Sequence, residues 1–349
     1  MRKLLPMLVL ILLLTGCRQT GQVENQAFAV VMSLDTVPGG GISVGILLPK
    51  MNSQSEEYLT ATAEGRSFSD AAEGLRELFP RAVNLSHIKM IVASEELAKT
   101  DAFASILRDM AANYPLALGA RFVVSRGSAT EFIALQDTTV GSRLSTGIIA
   151  MFEHYTSTGT VPDVTLSDLV GLMDSCYSSP IAVYGRHGDA EVMSGDAKKE
   201  IDFQNSNLYS GTAVFRDGKL CLILDSDETA LLSLLRGRKA SLIYDEDGVF
   251  SKIRLLQNDI FISEDAISVS LRLNATLYDC SAEELESCLE SGVRNLIAKC
   301  QQAGCEPFQF AECAARQYPD LAAWREQDWL NRFSETNMEI KIQIQPQSA

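Results

Sequence analysis

Residues 266–278 read AISVSLRLNATLY, and this stretch decides the fold class. Ile267, Val269, Leu271, Leu273, Ala275 and Leu277 alternate with Ser268, Ser270, Arg272, Asn274 and Thr276. A period of two gives a strand with one buried face and one wet face. Just downstream, Ser281 and Glu284 have capping-box spacing. They open a long amphipathic helix with Leu285, Leu289, Val293, Leu296 and Cys300 on one side. The chain closes on a second alternating run, Met338, Ile340, Ile342 and Ile344 against Glu339, Lys341 and Gln343. A sheet's apolar face must be covered, and the long helix is the available cover. Helix and strands therefore need one another. Between them, Trp324 and Trp329 are expected to pack the last helical segment onto the terminal sheet.

Moving upstream, Thr212–Phe215 and Leu220–Leu224 flank Arg216-Asp217-Gly218, a tight hairpin signal. A short helix is expected over Glu228–Leu235, with Asp225 and Asp227 at its positive end. The acidic turn Asp245-Glu246-Asp247-Gly248 is not a calcium loop, because Arg254 stands where that loop needs a glutamate. In the first half, apolar runs at 27–34 and 42–48 join through Pro38-Gly39-Gly40-Gly41. No Lys-Ser/Thr follows these glycines, so they read as a hairpin turn and not a phosphate loop. Residues 57–63 read as a strand with Leu59, Ala61 and Ala63 on one face. The following helix is expected to cap near Ser69 or Asp70, to bury Ala72, Leu75, Leu78 and Phe79, and to stop at Pro80. Further strands are expected over His87–Ala93, Arg121–Ser125 and Ile181–Tyr184. Helical segments are expected within 94–111, over 128–135 and over 142–155. Another starts at the Thr165/Asp168 capping box.

Strands and helices mix without a regular βα repeat. The expected class is α+β, with mixed, mostly antiparallel sheets, covering helices and two to three domains. Residues 185–208 are polar and poor in large apolar groups. That shift divides the expected N-terminal domain, 17–205, from a C-terminal region, 206–349, with room for two subdomains.

The chain has 349 residues, 46% of them hydrophobic, enough for substantial cores. With 45 acids against 30 bases, its formal net charge is −15. That balance argues against nucleic acid as a partner and against a polybasic membrane patch. The opening MRKLLPMLVLILLLTGC offers a different attachment. Arg2 and Lys3 precede an apolar run shorter than the roughly 20 residues that span a bilayer, so residues 1–16 read as a signal peptide. Leu14-Thr15-Gly16-Cys17 resembles a lipobox, which implies diacylglycerol on the Cys17 thiol and cleavage before it. Two acyl chains anchor stably without basic charge. The remainder is expected as an ectodomain on the extracytoplasmic face.

Seven further cysteines follow: Cys176, Cys221, Cys280, Cys288, Cys300, Cys305 and Cys313. None forms a CxxC pair, and the histidines lie far off in sequence. Buried thiols, one or more disulfides and a metal site are all readings of this set. No catalytic residue, cofactor or metal ligand is assigned. His87 is the best candidate base, beside Ser86, but strand neighbours point to opposite faces and cannot cooperate. No G-x-S-x-G occurs.

Five segments in order resemble one family. Val23-Glu24-Asn25-Gln26-Ala27-Phe28 resembles an I-E-N-L-A-F opening, and Glu64-Gly65-Arg66-Ser67-Phe68-Ser69-Asp70-Ala71 a G-x-S-x-x-E-A helix entry. Ser86-His87-Ile88-Lys89-Met90-Ile91-Val92 with Glu95-Glu96-Leu97-Ala98 resembles H-x-K-x-I-v-I-x-E-x-L-A. Gly211-Thr212-Ala213-Val214-Phe215 with Lys219-Leu220 resembles G-x-A-V-F-k-x-x-K-L. Tyr318-Pro319, Trp324, Trp329 and Phe333 resemble the family's P-x-x-W and W-x-x-x-F. The family is the Ger(x)C spore-germination lipoproteins, the C subunits of nutrient germinant receptors. Two departures stand out. Arg18-Gln19 replaces the usual Trp-Asp, and Glu306-Pro307-Phe308-Gln309-Phe310-Ala311 replaces D-i-f-G-f-G, so a different local turn is expected there. The resemblance implies a non-enzymatic subunit, lipid-anchored at the spore inner membrane, partnered by A-type and B-type integral membrane subunits. It also implies three mixed α/β domains. The competing reading is a lipid-anchored solute-binding protein for a small nutrient, with two lobes about a hinge.

Overall fold

The computed structural model describes residues 25–50, 57–114, 116–134, 144–187, 207–237, 241–246, 249–263, 266–278 and 280–347. In chain order the first half holds β1 (Gln26–Phe28), β2 (Val31–Thr36), β3 (Ile42–Lys50), β4 (Glu57–Gly65), α1 (Phe68–Glu77), β5 (Ala82–Asn84), β6 (Met90–Ser94), α2 (Glu95–Ala98), α3 (Phe103–Asn113), β7 (Arg121–Arg126), α4 (Ala129–Ala134), α5 (Leu144–Thr158), α6 (Leu166–Met173) and β8 (Ile181–His187). The second half holds β9 (Asn207–Arg216), β10 (Lys219–Leu224), α7 (Ser226–Leu235), β11 (Ser241–Glu246), β12 (Val249–Ile262), β13 (Ala266–Leu277), α8 (Ala282–Gln302), α9 (Phe310–Ala315), α10 (Leu321–Arg325), α11 (Trp329–Glu335) and β14 (Asn337–Pro346).

Eight strands form one sheet in the order β10-β9-β8-β7-β6-β2-β3-β4, and β1 pairs separately with β5. The four central strands β8, β7, β6 and β2 run parallel, flanked on each side by antiparallel neighbours. The sheets are thus mixed and the fold is α+β, with a parallel centre that the irregular helix lengths hid. Both faces of this sheet are covered. Ile91, Phe122 and Val124 face a core with Phe68, Phe103 and Leu166. Met90, Val92 and Val123 face the opposite core with Phe132, Leu144 and Phe152. A strand covered on both faces reads as an unbroken apolar run, as Met90–Ala93 does within β6.

Local details differ from the sequence reading at three places. Ser67, not Ser69 or Asp70, caps α1: its hydroxyl accepts from Asp70 N at 3.2 Å. Leu78 is therefore the C-cap and is 57% exposed. Leu59 stays 42% exposed at the end of edge strand β4, four residues from the Ala63 on which α1 sits. The strand expected from His87 begins only at Met90, with His87 in the preceding turn. The position 205/206 falls between β8 and β9, which pair antiparallel, so the hairpin of the second half completes the sheet of the first. That hairpin turns on Asp217 and Gly218, both at positive φ, as a two-residue turn with matching twist requires.

The second sheet has the order β11-β12-β13-β14. Burial alternates along β13 as the sequence pattern predicts, with Leu271 and Leu273 fully buried. β14 lies parallel to β13, pairing Val269 with Ile340 and Leu271 with Ile342. A parallel pair needs a long crossover, and α8 to α11 supply it. Both expected capping boxes form, and Asp225/Glu228 makes a third at α7. α8 also closes the sheet's open edge. Glu290 accepts from Ile342 N at 3.1 Å and Glu286 from Ile344 N at 2.7 Å. Four helical residues rise about 6 Å and two strand residues about 6.6 Å, so the two spacings match. Among the described residues, no helix is long and apolar enough to cross a membrane.

Candidate functional site

Cys17, the expected lipid attachment point, lies outside the described residues. His87 packs edge-on against Phe28 at 4.8 Å. Ser86 donates to Asn84 Oδ1 at 2.6 Å instead of to His87. The two make no nucleophile–base pair. Cys176, Cys221, Cys280, Cys288, Cys300, Cys305 and Cys313 are all free thiols. Cys221 on β10 meets Cys305, which also bonds the Cys300 carbonyl at 3.6 Å. The bond to Cys305, with burial, pushes the Cys221 thiol up. At Cys305 the Cys221 contact pulls down, but Cys300 and burial outweigh it and the thiol ends raised. Such thiols are poor nucleophiles, because the thiolate is the reactive form.

The residues that the structure does bring together surround Glu306. This side chain is fully buried, in the loop between α8 and α9. Its Oε1 accepts from Phe308 N at 2.7 Å and Phe310 N at 3.2 Å. Its Oε2 accepts from Ala311 N at 3.1 Å and Trp329 Nε1 at 3.3 Å. Ser178, just before β8, stands 2.6 Å from Glu306 Oε2 and 2.6 Å from Glu312 Oε2. One hydroxyl carries one proton and cannot donate to both carboxylates. When Glu306 is protonated, it donates to Ser178, which then donates to Glu312. Burial pushes the Glu306 carboxyl up to about 7; the Ser178 bond opposes this, the Glu312 charge adds to it, and the backbone donors of Ala311 and Phe310 resist it. The group can therefore exchange a proton near neutrality, although its side chain is closed off from solvent.

Around this carboxyl the two halves are joined. Ser179 N donates to the Glu306 carbonyl at 2.6 Å, and Glu306 N donates to Ser179 Oγ at 2.9 Å. Trp324 Nε1 donates to the Cys176 carbonyl at 3.0 Å, and its ring stacks on Tyr177 at 6.1 Å. Trp324 and Trp329 do share the core that includes Ile340, Ile342 and Ile344. Their polar atoms, however, reach the segment before β8 and the Glu306 carboxylate. Arg236 Nη1 holds the Pro307 carbonyl at 2.8 Å. Gln309 takes a left-handed conformation, φ +70°, at the position where the family pattern has glycine. The substituted stretch thus keeps a glycine-like backbone there instead of losing it. The signal for this site in the sequence was a lone acid in an aromatic run, Glu306-Pro307-Phe308-Gln309-Phe310.

Comparison with known proteins agrees with the segment-by-segment resemblance. Residues 20–186 match the family described as the spore germination protein N-terminal domain. Residues 210–347 match the one described as spore germination B3/GerAC like, C-terminal. YfkR of Bacillus subtilis (strain 168), named as a spore germination protein, is 26% identical over 264 residues. That alignment covers 69% of this chain and 62% of YfkR, so the chain spans somewhat under two thirds of its relative's length. The crystal structure of the GerBC protein superposes with a TM-score of 0.55 at 14% identity, covering 90% of this chain and 96% of that one, and shares its fold. With both consecutive domains matched in order over most of its length, the chain belongs to the Ger(x)C family of spore-germination proteins.

Proposed function

We propose that this chain is the lipid-anchored, non-enzymatic subunit of a nutrient germinant receptor. It is held by Cys17 at the extracytoplasmic face of the spore inner membrane and works with A-type and B-type integral membrane subunits. The observation that carries this reading is the two family domains following, in one chain, a Leu14-Thr15-Gly16-Cys17 stretch that resembles a lipobox. The hydrogen-bonded junction at Glu306 supports a role in which displacement of one sheet is passed to the other. The competing two-lobed binding protein needs a hinge between halves, and here a single sheet runs through that position by the β8–β9 pairing. The test is purification of the tagged full chain from spore membranes. Recovery of two polytopic proteins with it is expected, and recovery of neither overturns the assembly. Cys17→Ala is expected to move the chain to the soluble fraction, and unchanged membrane retention of that variant overturns the anchor.

A further inference from the structure

The parallel strands β2, β6, β7 and β8 end at one edge of the large sheet, the edge where open α/β sheets place ligands. A cavity of about 440 Å³ opens there, lined among others by Arg126, Tyr184, Arg186, Ser210, Ser226 and Lys299. Its size is that of a small-molecule site. Arg126 ends β7, and its register partner on β8 is Arg186. Partners on adjacent strands stand about 4.8 Å apart and point to the same side. The two arginine side chains thus leave the sheet side by side at one rim.

The charges around them are already committed elsewhere. Lys299 Nζ donates to both oxygens of Glu228 at 2.6 Å. Glu228 accepts from Asp225 N, and Asp225 from Glu228 N, closing the cap of α7. Glu95, whose carboxylate also feels Arg126, takes Tyr184 OH at 2.8 Å and Lys99. Arg126 and Arg186 make no ion pair or hydrogen bond among the described residues. In a chain with an excess of acids, two adjacent arginines that make no ion pair or hydrogen bond among the described residues leave donors available, and each offers a planar fork suited to oxyanions.

The geometry points to a binding site for a small organic anion, its carboxylate or phosphate gripped by Arg126 and Arg186. The rest of the ligand would lie between the hydroxyls of Ser210 and Ser226 and the apolar flank of Ile223 and Leu224. The inference goes beyond the receptor reading and does not depend on the anchor or on partner subunits.

The test is calorimetric titration of the full chain in detergent with succinate and, separately, with glycerol 3-phosphate, against sodium chloride at matched ionic strength. Saturable one-to-one binding of either probe is expected, and the probe that binds names the oxyanion class. Arg126→Gln and Arg186→Gln are each expected to weaken it at least about tenfold, while Arg272→Gln on the wet face of β13 leaves it unchanged. The melting temperature without probe should change little in any of the three, since none of these arginines makes an ion pair or hydrogen bond among the described residues and Arg126 acts on Glu95 only through its charge. Saturation by neither probe overturns the site. So does equal weakening by Arg272→Gln, or a fall in the probe-free melting temperature of the Arg126 and Arg186 variants.

Discussion

In β7 the neighbours Phe122 and Val123 are both fully buried, each in a different core. In β13 the neighbours Leu271 and Arg272 divide between core and water. The large sheet is sandwiched between helices, whereas the small one is covered on one face, by α7 before it and by the crossover that leads to its last strand. Tolerance to substitution should follow from this. Val123→Asp and Phe122→Asp each put an unpaired charge into a dry core. The cost of several kcal/mol is comparable with the whole stability of a domain, so neither variant should give soluble folded protein. Leu271→Asp should fail in the same way, while Arg272→Ser should stay within about 0.5 kcal/mol in a urea titration. A folded Val123→Asp protein would show that one face of the large sheet is not a core.

The Glu306 junction ties these unlike sheets together, and it gives the next largest effect. Glu306→Ala leaves the N–H groups of Phe308, Phe310, Ala311 and Trp329 without their acceptor, and a loss of about 3–5 kcal/mol is expected. The pH dependence has a definite sign. The folded carboxyl titrates at about 7 against an ordinary 4.5, so the folded state holds the proton more tightly. Its contribution is fully present below pH 4.5 and is lost as pH rises through 7, a change on the order of 3 kcal/mol at full burial. Urea midpoints at pH 5 and pH 8 check this. The wild-type difference should exceed that of Glu306→Ala, and equal differences would place the titrating group elsewhere.

The same contrast explains what could be read in advance. β13 and β14 announce themselves because a one-faced sheet writes its geometry into the sequence as alternation. α8 follows from its capping box and its leucines. β6 shows only an apolar run, Met90–Ala93, which carries no information about face or direction. The parallel centre of the large sheet is therefore not legible in the sequence, although the positions of its strands are. Glu306 could not be foreseen because its partners Ser178 and Ser179 lie more than a hundred residues away. The juxtaposition of Arg126 and Arg186 is invisible for the same reason, since their register is set by β7–β8 pairing and not by spacing along the chain.

The edge of the small sheet offers a finer probe of how one-faced cover works. Glu286→Ala with Glu290→Ala removes the carboxylates that accept from Ile344 and Ile342. Water can replace part of each bond at an edge, so a combined loss of about 1–2 kcal/mol is expected in chemical denaturation. The exposed strand should also begin to self-associate in sedimentation measurements, since an uncovered edge is a template for pairing. The large sheet, with its edge strand β4 already open, should show no change.

The smallest effect tests the crossover itself. Among the described residues, three that are not glycine have positive φ: Asp217, Gln309 and Asp328. Aspartate tolerates this region through its short polar side chain, whereas glutamine has no such means. A left-handed residue of this kind costs roughly 1–2 kcal/mol, and glycine's lost chain entropy roughly 0.5–1. Gln309→Gly should therefore stabilise the chain by about 0.5 kcal/mol, raising the urea midpoint at constant slope. The Glu306 carboxylate would keep its acceptor geometry, because Phe308 N and Phe310 N flank the substituted residue without passing through its side chain. Destabilisation instead would mean that the half-buried Gln309 side chain holds the two halves together, and that the junction extends beyond the carboxyl at its centre.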